Sequence, residues 1–303
     1  MVVKEIFQNI GRPRLLCQMM NISYYSLKKR LGQLPEGIDV MEEDWDNLII
    51  LDACRYDAFV TAWANRKTLD GELKQVRSKA PFTNEFLREN VHQRDLTDTV
   101  YVTSSPHLHK TNDGVYQPIE ANFAAVDHVW KHEDRFDPGL LVDRTKKALE
   151  KYPNKRIIAH MIPPHQPYFG ESADKLEEIL TSYEIENWKG MVANEIPVDD
   201  ELIWRAYAEN LAVAMRHTED LVDVLDGKTV VTADHGQLLG DREFPIPVKG
   251  YGHPSLYVDE LLNVPWLECT YNKRRTITDQ GESDTEEEAE EKAKEALRDL
   301  GYL

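Results

Sequence analysis

Four short stretches of this chain hold side chains that together could bind a divalent cation. NLIILD (47–52) is an apolar run that ends on Asp52, and KTVVTAD (228–234) ends on Asp234, followed by His235 and Gly236. IIAHMIPPHQPY holds His160 and His165, and KGYGHPSLYVDELLNVPW holds His253. An aspartate at a strand end is ordinarily a helix cap, and a histidine in a loop is ordinarily no ligand. The combination is what matters. Carboxylates and imidazoles delivered from separate strand ends suit Zn²⁺ or Mn²⁺, which accept mixed oxygen and nitrogen ligands. Gly236 is expected to let the backbone turn away from such an ion.

The elements that must position these groups follow from hydrophobic patterning. The runs at 47–52, 99–105 (TVYVTSS), 155–161 and 228–234 read as strands buried on both faces. Residues 54–65, 139–152 and 200–225 carry helical periodicity. Strands alternating with helices predict an α/β fold with a mostly parallel sheet, whose ligands bind outside the carboxyl ends of the strands. Residues 106–138, with four histidines, read as a loop-rich insertion beside that face, and 166–200 also read as loop-rich. The expected organisation is a basic helical segment (1–35), an α/β catalytic domain (36–272), and an acidic linker with a C-terminal helix (273–303).

The chain has 303 residues, with 54 acidic and 36 basic side chains and a formal net charge of −18. That charge argues against a nucleic-acid partner, whose phosphates would be repelled. No apolar run is long enough to span a bilayer. The first residues lack the h-region of a secretory signal. Cys17, Cys54 and Cys269 form neither a disulfide framework nor a zinc spacing. A cytoplasmic location is therefore expected. Lys4, Arg12, Arg14, Lys28, Lys29 and Arg30 against Glu5 give residues 1–33 a net +5. Two readings of RLLCQMMNISYYSLKKRLG stay open: a helix lying on an anionic membrane surface, or one packed on its own domain with its basic face on the acidic body.

At this point the motifs resemble the alkaline phosphatase superfamily, in its sulfatase-like branch that includes phosphoglycerol transferases. VVTADHGQLLGD is similar to the signature T-[SA]-D-H-G-[EQ]-x-L-G. IIAHMIPPHQPY is similar to H-x-x-x-P-H-x-P-Y, and NLIILDACRYD resembles the first metal-ligand strand. GYGHPSLYVDELLNVPW resembles the segment that follows the signature, and the terminal LRDLGYL looks like a common ending of such proteins. The resemblance covers about 47–268 and implies an alkaline-phosphatase-like α/β sandwich, a central, mostly parallel sheet flanked by helices.

The resemblance also implies a nucleophile that opens a helix, where backbone N–H groups face an anionic substrate. Thr83, before NEFLREN, fits best; Ser78 is the second candidate, and a capping role is the plain alternative for Thr83. The implied metal set is Asp52, Thr83, Asp234 and His235, holding one ion, with a second possible near His253. His165 would stabilise the transferring group or protonate the leaving oxygen, and His253 would neutralise developing charge. Arg55 would either contact an anionic oxygen or form a helix-surface ion pair.

The departures narrow the reading. No C/S-x-P-S-R formylglycine motif exists, position 53 is Ala where sulfatases carry a second Asp, and D-x-x-x-H is absent. The expected activity is metal-dependent hydrolysis or transfer of phosphate esters through threonine. The alternatives are a sulfuric ester hydrolase or a non-catalytic member that binds an anion or glycan.

Overall fold

A computed structural model describes residue 9 and residues 11–64, 66, 68–108 and 119–279. The acidic run after 279 and the terminal LRDLGYL lie outside the described residues. In chain order the helices are α1 (Pro13–Arg30), α2 (Tyr56–Trp63), α3 (Thr83–Asn90), α4 (Pro138–Lys151), α5 (Glu171–Thr181), α6 (Asn187–Ala193), α7 (Asp200–Val222) and α8 (Asp259–Leu262). The strands are β1 (Asn47–Leu51), β2 (Gly71–Arg77), β3 (Asp95–Thr103), β4 (Asn122–His128), β5 (Arg156–Met161), β6 (Thr229–Thr232), β7 (Leu238–Arg242), β8 (Lys249–Gly252) and β9 (Asn263–Cys269).

Seven strands form one sheet in the order β2-β9-β6-β1-β5-β3-β4. The run β6-β1-β5-β3-β4 is parallel, and β9 pairs antiparallel with both β6 and β2. A short β7–β8 hairpin stands apart. This is the α/β sandwich with a mostly parallel central sheet that the motifs led us to expect.

The central strands are apolar on both faces because both faces are covered. Ile49 and Leu51 of β1 pack with Phe59 of α2, Leu141 of α4 and Leu211 of α7. Leu48 and Ile50, pointing the other way, pack with Phe86 and Leu87 of α3 and with Trp45. Each such fully buried Leu or Ile contributes about 1.5–3 kcal/mol relative to exposure. Helices α4 and α7 start on aspartate caps: Asp137 accepts from Gly139 N and Asp199 from Glu201 N.

Two expectations are corrected. The stretch 106–138 is no mere insertion, since NFAAVDH forms β4, the sheet edge, parallel to β3. The stretch 166–200 contains α5 and α6, whose Leu176, Met191 and Val192 join a core cluster with Ile203 and Tyr207 of α7. Helices of 11 and 7 residues are too short for their periodicity to stand out in a sequence window, and an edge strand has only one neighbour to define it.

Candidate functional site

The strand order brings the candidate residues together. β1 lies between β5 and β6, so Asp52, His160 and Asp234–His235 arrive at the carboxyl ends of three adjacent strands. Asp52, Asp234 and His235 place ligand atoms within 4.8 Å of one another, all buried.

Thr83 is the first residue of α3, and Phe82 holds the cap position with no side-chain cap bond. The capping alternative therefore falls. Thr83 Oγ1 instead lies 3.3 Å from His235 Nε2 and 3.5 Å from Asp52 Oδ2. Ser78 donates to the Asp234 carbonyl at 2.5 Å and accepts from Ala80 N at 3.3 Å, so its hydroxyl is committed to backbone.

Hydrogen bonds fix which atoms face inward. Asp234 Oδ1 accepts from Ala53 N (3.0 Å) and His235 N (2.8 Å), which leaves Oδ2 directed into the cluster. Ala53 reaches this position in a left-handed conformation, φ 62°. Tyr207 pins the turn, donating to Ala53 O and accepting from Arg55 N. The Gly236 carbonyl can only accept, so His235 Nδ1, 2.7 Å away, carries the proton and Nε2 presents its lone pair. Burial pushes the His235 pKa down to about 3, so the ring stays neutral.

The result is a set of electron-pair donors with no cation among them. His235 Nε2 is 3.5 Å from Asp52 Oδ1 and 3.4 Å from Asp234 Oδ2, and both oxygens are buried without a hydrogen-bond partner. Burial, and then the charge of Asp234, raises the Asp52 pKa well above its ordinary value. A tetrahedron with metal–ligand bonds of about 2.0–2.1 Å has edges of roughly 3.3 Å, close to the spacings seen. Asp52, Asp234 and His235 therefore form a cluster that could hold a metal ion, with the Thr83 hydroxyl beside it.

His165 and His253 form a second pair at the open side of the cluster, with Nε2 atoms 3.0 Å apart. His165 Nδ1 donates to the Gln166 carbonyl at 2.6 Å, so the proton between the rings belongs to His253. The His253 ring stands 4.7 Å from that of His235, centroid to centroid. Burial lowers the pKa of both, and the neighbouring rings lower that of His253 further.

Some residues behave otherwise than expected. Arg55 does form ion pairs, with Asp57 of the helix it precedes and with Asp241, but its guanidinium is buried, bonded also to the Gln237 carbonyl and stacked on Trp204. Gly236 is needed for close approach rather than for a turn, because a Cβ there would sit 2.1 Å from the Glu260 carbonyl. His160 Nδ1 pairs with Tyr101 OH at 2.8 Å, and its buried Nε2 lies 3.9 Å from Asp234 Oδ2.

Sequence reasoning missed three supports. Tyr101 orients His160. Asn210 of α7 donates to the Pro164 and His165 carbonyls, at 3.0 and 2.8 Å, and so holds the His165 loop. Asn84, next to Thr83, is buried with both amide atoms unpartnered. Asn210 had left a signal, a polar residue on the apolar face of its helix beside Tyr207, Leu211 and Ala214.

No family model matches the chain, and no curated protein matches it. Solved structures do. The C-terminal periplasmic domain of EcEptC from Escherichia coli, in complex with Zn, matches at 13% identity and TM-score 0.45, over 78% of this chain and 76% of that one. The soluble domain of lipooligosaccharide phosphoethanolamine transferase A from Neisseria meningitidis matches at 14% and 0.43, over 73% and 75%. A putative sulfatase from Bacteroides thetaiotaomicron matches at 10% and 0.41, over 77% and 65%.

The cytoplasmic location is corrected, since neighbours of this fold include periplasmic domains. The thiols never separated the compartments. Cys54 and Cys269 are buried with raised pKa values, so they are shielded from oxidation wherever the chain resides.

Proposed function

We propose that this chain is a metal-dependent enzyme that transfers the phosphoryl group of anionic phosphate esters, with Thr83 as nucleophile. The observation that supports it is the Thr83 hydroxyl at the start of α3, 3.3 Å from a lone-pair nitrogen of His235 and 3.5 Å from Asp52. Asp52, Thr83, Asp234 and His235 would hold the cation, Zn²⁺ or Mn²⁺. When bound, it supplies Lewis-acid stabilisation of negative charge on oxygen.

The first-turn N–H groups of α3 have no intrahelical partner and suit phosphoryl oxygens. Thr83 Oγ1 forms a bond to phosphorus as the ester P–O bond breaks, and its proton passes to Asp52 Oδ2. The His253 Nε2–H donates a hydrogen bond that stabilises the charge on the leaving oxygen, and water supplies the proton that oxygen takes up. Water or a second alcohol then attacks the phospho-threonine, which restores the hydroxyl and releases phosphate or a new ester. Asn210 and Tyr101 orient the histidines without touching the reacting atoms.

The test is turnover of aryl phosphate monoesters, phosphodiesters and sulfate esters with Mn²⁺ or Zn²⁺, beside Thr83→Ala. Phosphoester cleavage that falls by about 10⁴-fold or more in the variant is the expected result. Near-normal turnover in Thr83→Ala removes the nucleophile assignment. Cleavage of sulfate esters alone replaces the substrate class. Metal binding without turnover of any ester, or of any ester with an added alcohol, assigns a binding role instead.

A further inference from the structure

Helix α1 has two apolar faces, and among the described residues only one is packed. Ile22 and Tyr25 pack against Leu238, Leu256, Val258 and Leu261, while Gln18 and Asn21 donate to the buried Glu243. Arg12 pairs with Glu195, and Lys29 with Glu85 and Glu89 of α3. The reading of a helix packed on its own domain describes this face. The opposite face carries Met20, Tyr24, Leu27 and, at the C-cap, Leu31, exposed by 61, 43, 55 and 58%. At ~100° per residue these four share one stripe roughly 60° wide.

Charge distinguishes the possible occupants. On the same wheel Lys28 and Arg30 flank the stripe on either side, each about 80° from Met20. Residues 6–35 contain no acidic side chain, in a chain that has 54. A second copy docked stripe to stripe through a two-fold axis would bring Lys28 and Arg30 against their own copies, which is repulsive. An anionic lipid surface attracts the same cations while it takes the apolar stripe. A cation-flanked apolar stripe on an otherwise acidic protein has the chemistry of that surface.

We propose that the Met20–Tyr24–Leu27–Leu31 face of α1 docks this protein on anionic membranes. The docked helix is tied to the segments that carry the candidate site. Lys29 and Tyr257 both bond Glu85, two residues beyond Thr83, and Tyr257 lies four residues past His253. Docking through α1 therefore holds the catalytic segments at a fixed attitude to the lipid, whatever ester they process.

The experiment is flotation of the full chain with phosphatidylglycerol/phosphatidylcholine vesicles and with phosphatidylcholine alone, at low and high salt. The expected result is flotation with the anionic vesicles only, weakened by salt. Met20→Asp/Leu27→Asp abolishes it, and Lys28→Gln/Arg30→Gln lowers the partition coefficient roughly thirtyfold. Met20, Leu27 and Arg30 are exposed and Lys28 is half-buried over the Tyr24 ring, so unchanged circular dichroism and thermal midpoint are expected to show that the variants fold. Absence of flotation at low salt overturns the proposal, and so does equal flotation of the Met20→Asp/Leu27→Asp variant. A dimer in sedimentation that Leu27→Asp dissociates, without flotation, assigns the stripe to a second copy and also overturns it.

Discussion

Strand β1 has an aspartate beyond each end, and the two are treated oppositely. Asp46, at the amino end, is buried with both oxygens in use. Arg274 donates to Oδ2 and Oδ1 at 2.8 and 2.9 Å, and the backbone N–H groups of Lys228 and Arg275 donate to Oδ2. Burial pushes its pKa up, but those bonds outweigh burial and hold the carboxyl below its ordinary 3.8. Asp52, at the carboxyl end, is just as enclosed, yet Oδ1 has no partner and its nearest charge is another carboxylate. One residue type thus closes the fold at one end and, at the other, keeps bonding capacity in reserve. A buried carboxylate without a partner is costly, and the cost makes sense where a cation completes the set.

The largest effects should fall on metal uptake. Asp52→Asn and Asp234→Asn each remove the stabilisation that saturating Mn²⁺ or Zn²⁺ gives the wild type, about 4 kcal/mol at a thousandfold excess over Kd. Asp46→Asn leaves metal stoichiometry unchanged. Thermal midpoints with and without metal measure this, and equal uptake by Asp234→Asn would remove that residue from the site.

In metal-free protein the order reverses. Asp46→Asn destabilises by about 1–3 kcal/mol in urea unfolding, because Arg274 and two N–H groups lose a charged acceptor. Asp52→Asn is neutral or stabilising, since it removes a buried charge that Asp234 repels. A larger loss in Asp52→Asn than in Asp46→Asn would break the comparison.

The pH slopes sharpen it further. The Asp46 pKa is depressed, so its contribution is present above 3.8 and is lost as pH falls below it. The Asp52 pKa is raised, so its contribution is present below 3.8 and is lost as pH rises through the folded value. Each asparagine variant should cancel its own slope in the metal-free stability profile, and slopes of the same sign would contradict the assignment. The smallest effect is expected from Ala53→Gly, which relieves the left-handed backbone at φ 62° and raises stability by about 0.5–1 kcal/mol.

Much of the core and most of the candidate cluster were legible in the sequence. Parallel strands buried on both faces must be apolar runs, so NLIIL, RIIAHM and TVVT announced themselves, and the polar residues that follow such runs mark strand ends. The β2–β9 pairing, the β7–β8 hairpin, β4, α5 and α6 were not read. Their patterns are short or mixed, as in GELKQVR, and the partners in the β2–β9 pair lie nearly 200 residues apart. Asn84 and Tyr101 were invisible as site residues because each matters through what it sits beside, and Asn210 showed only as a polar residue on an apolar helix face.

The residue types at 52, 83, 234, 235, 165 and 253 settled by themselves which chemistry was available, because only carboxylate, hydroxyl and imidazole donors in strand-end segments suit a hard or borderline divalent cation. Only the tertiary structure decided which lone pairs are free. It satisfied Asp46 with Arg274, gave the Ser78 hydroxyl to a backbone carbonyl, and aimed Asp52 Oδ1, Asp234 Oδ2 and His235 Nε2 at one another. It also turned one apolar face of α1 inward and left the other to solvent. Sequence fixes the donors each residue carries, but whether a donor is already in use depends on neighbours that folding brings from elsewhere in the chain.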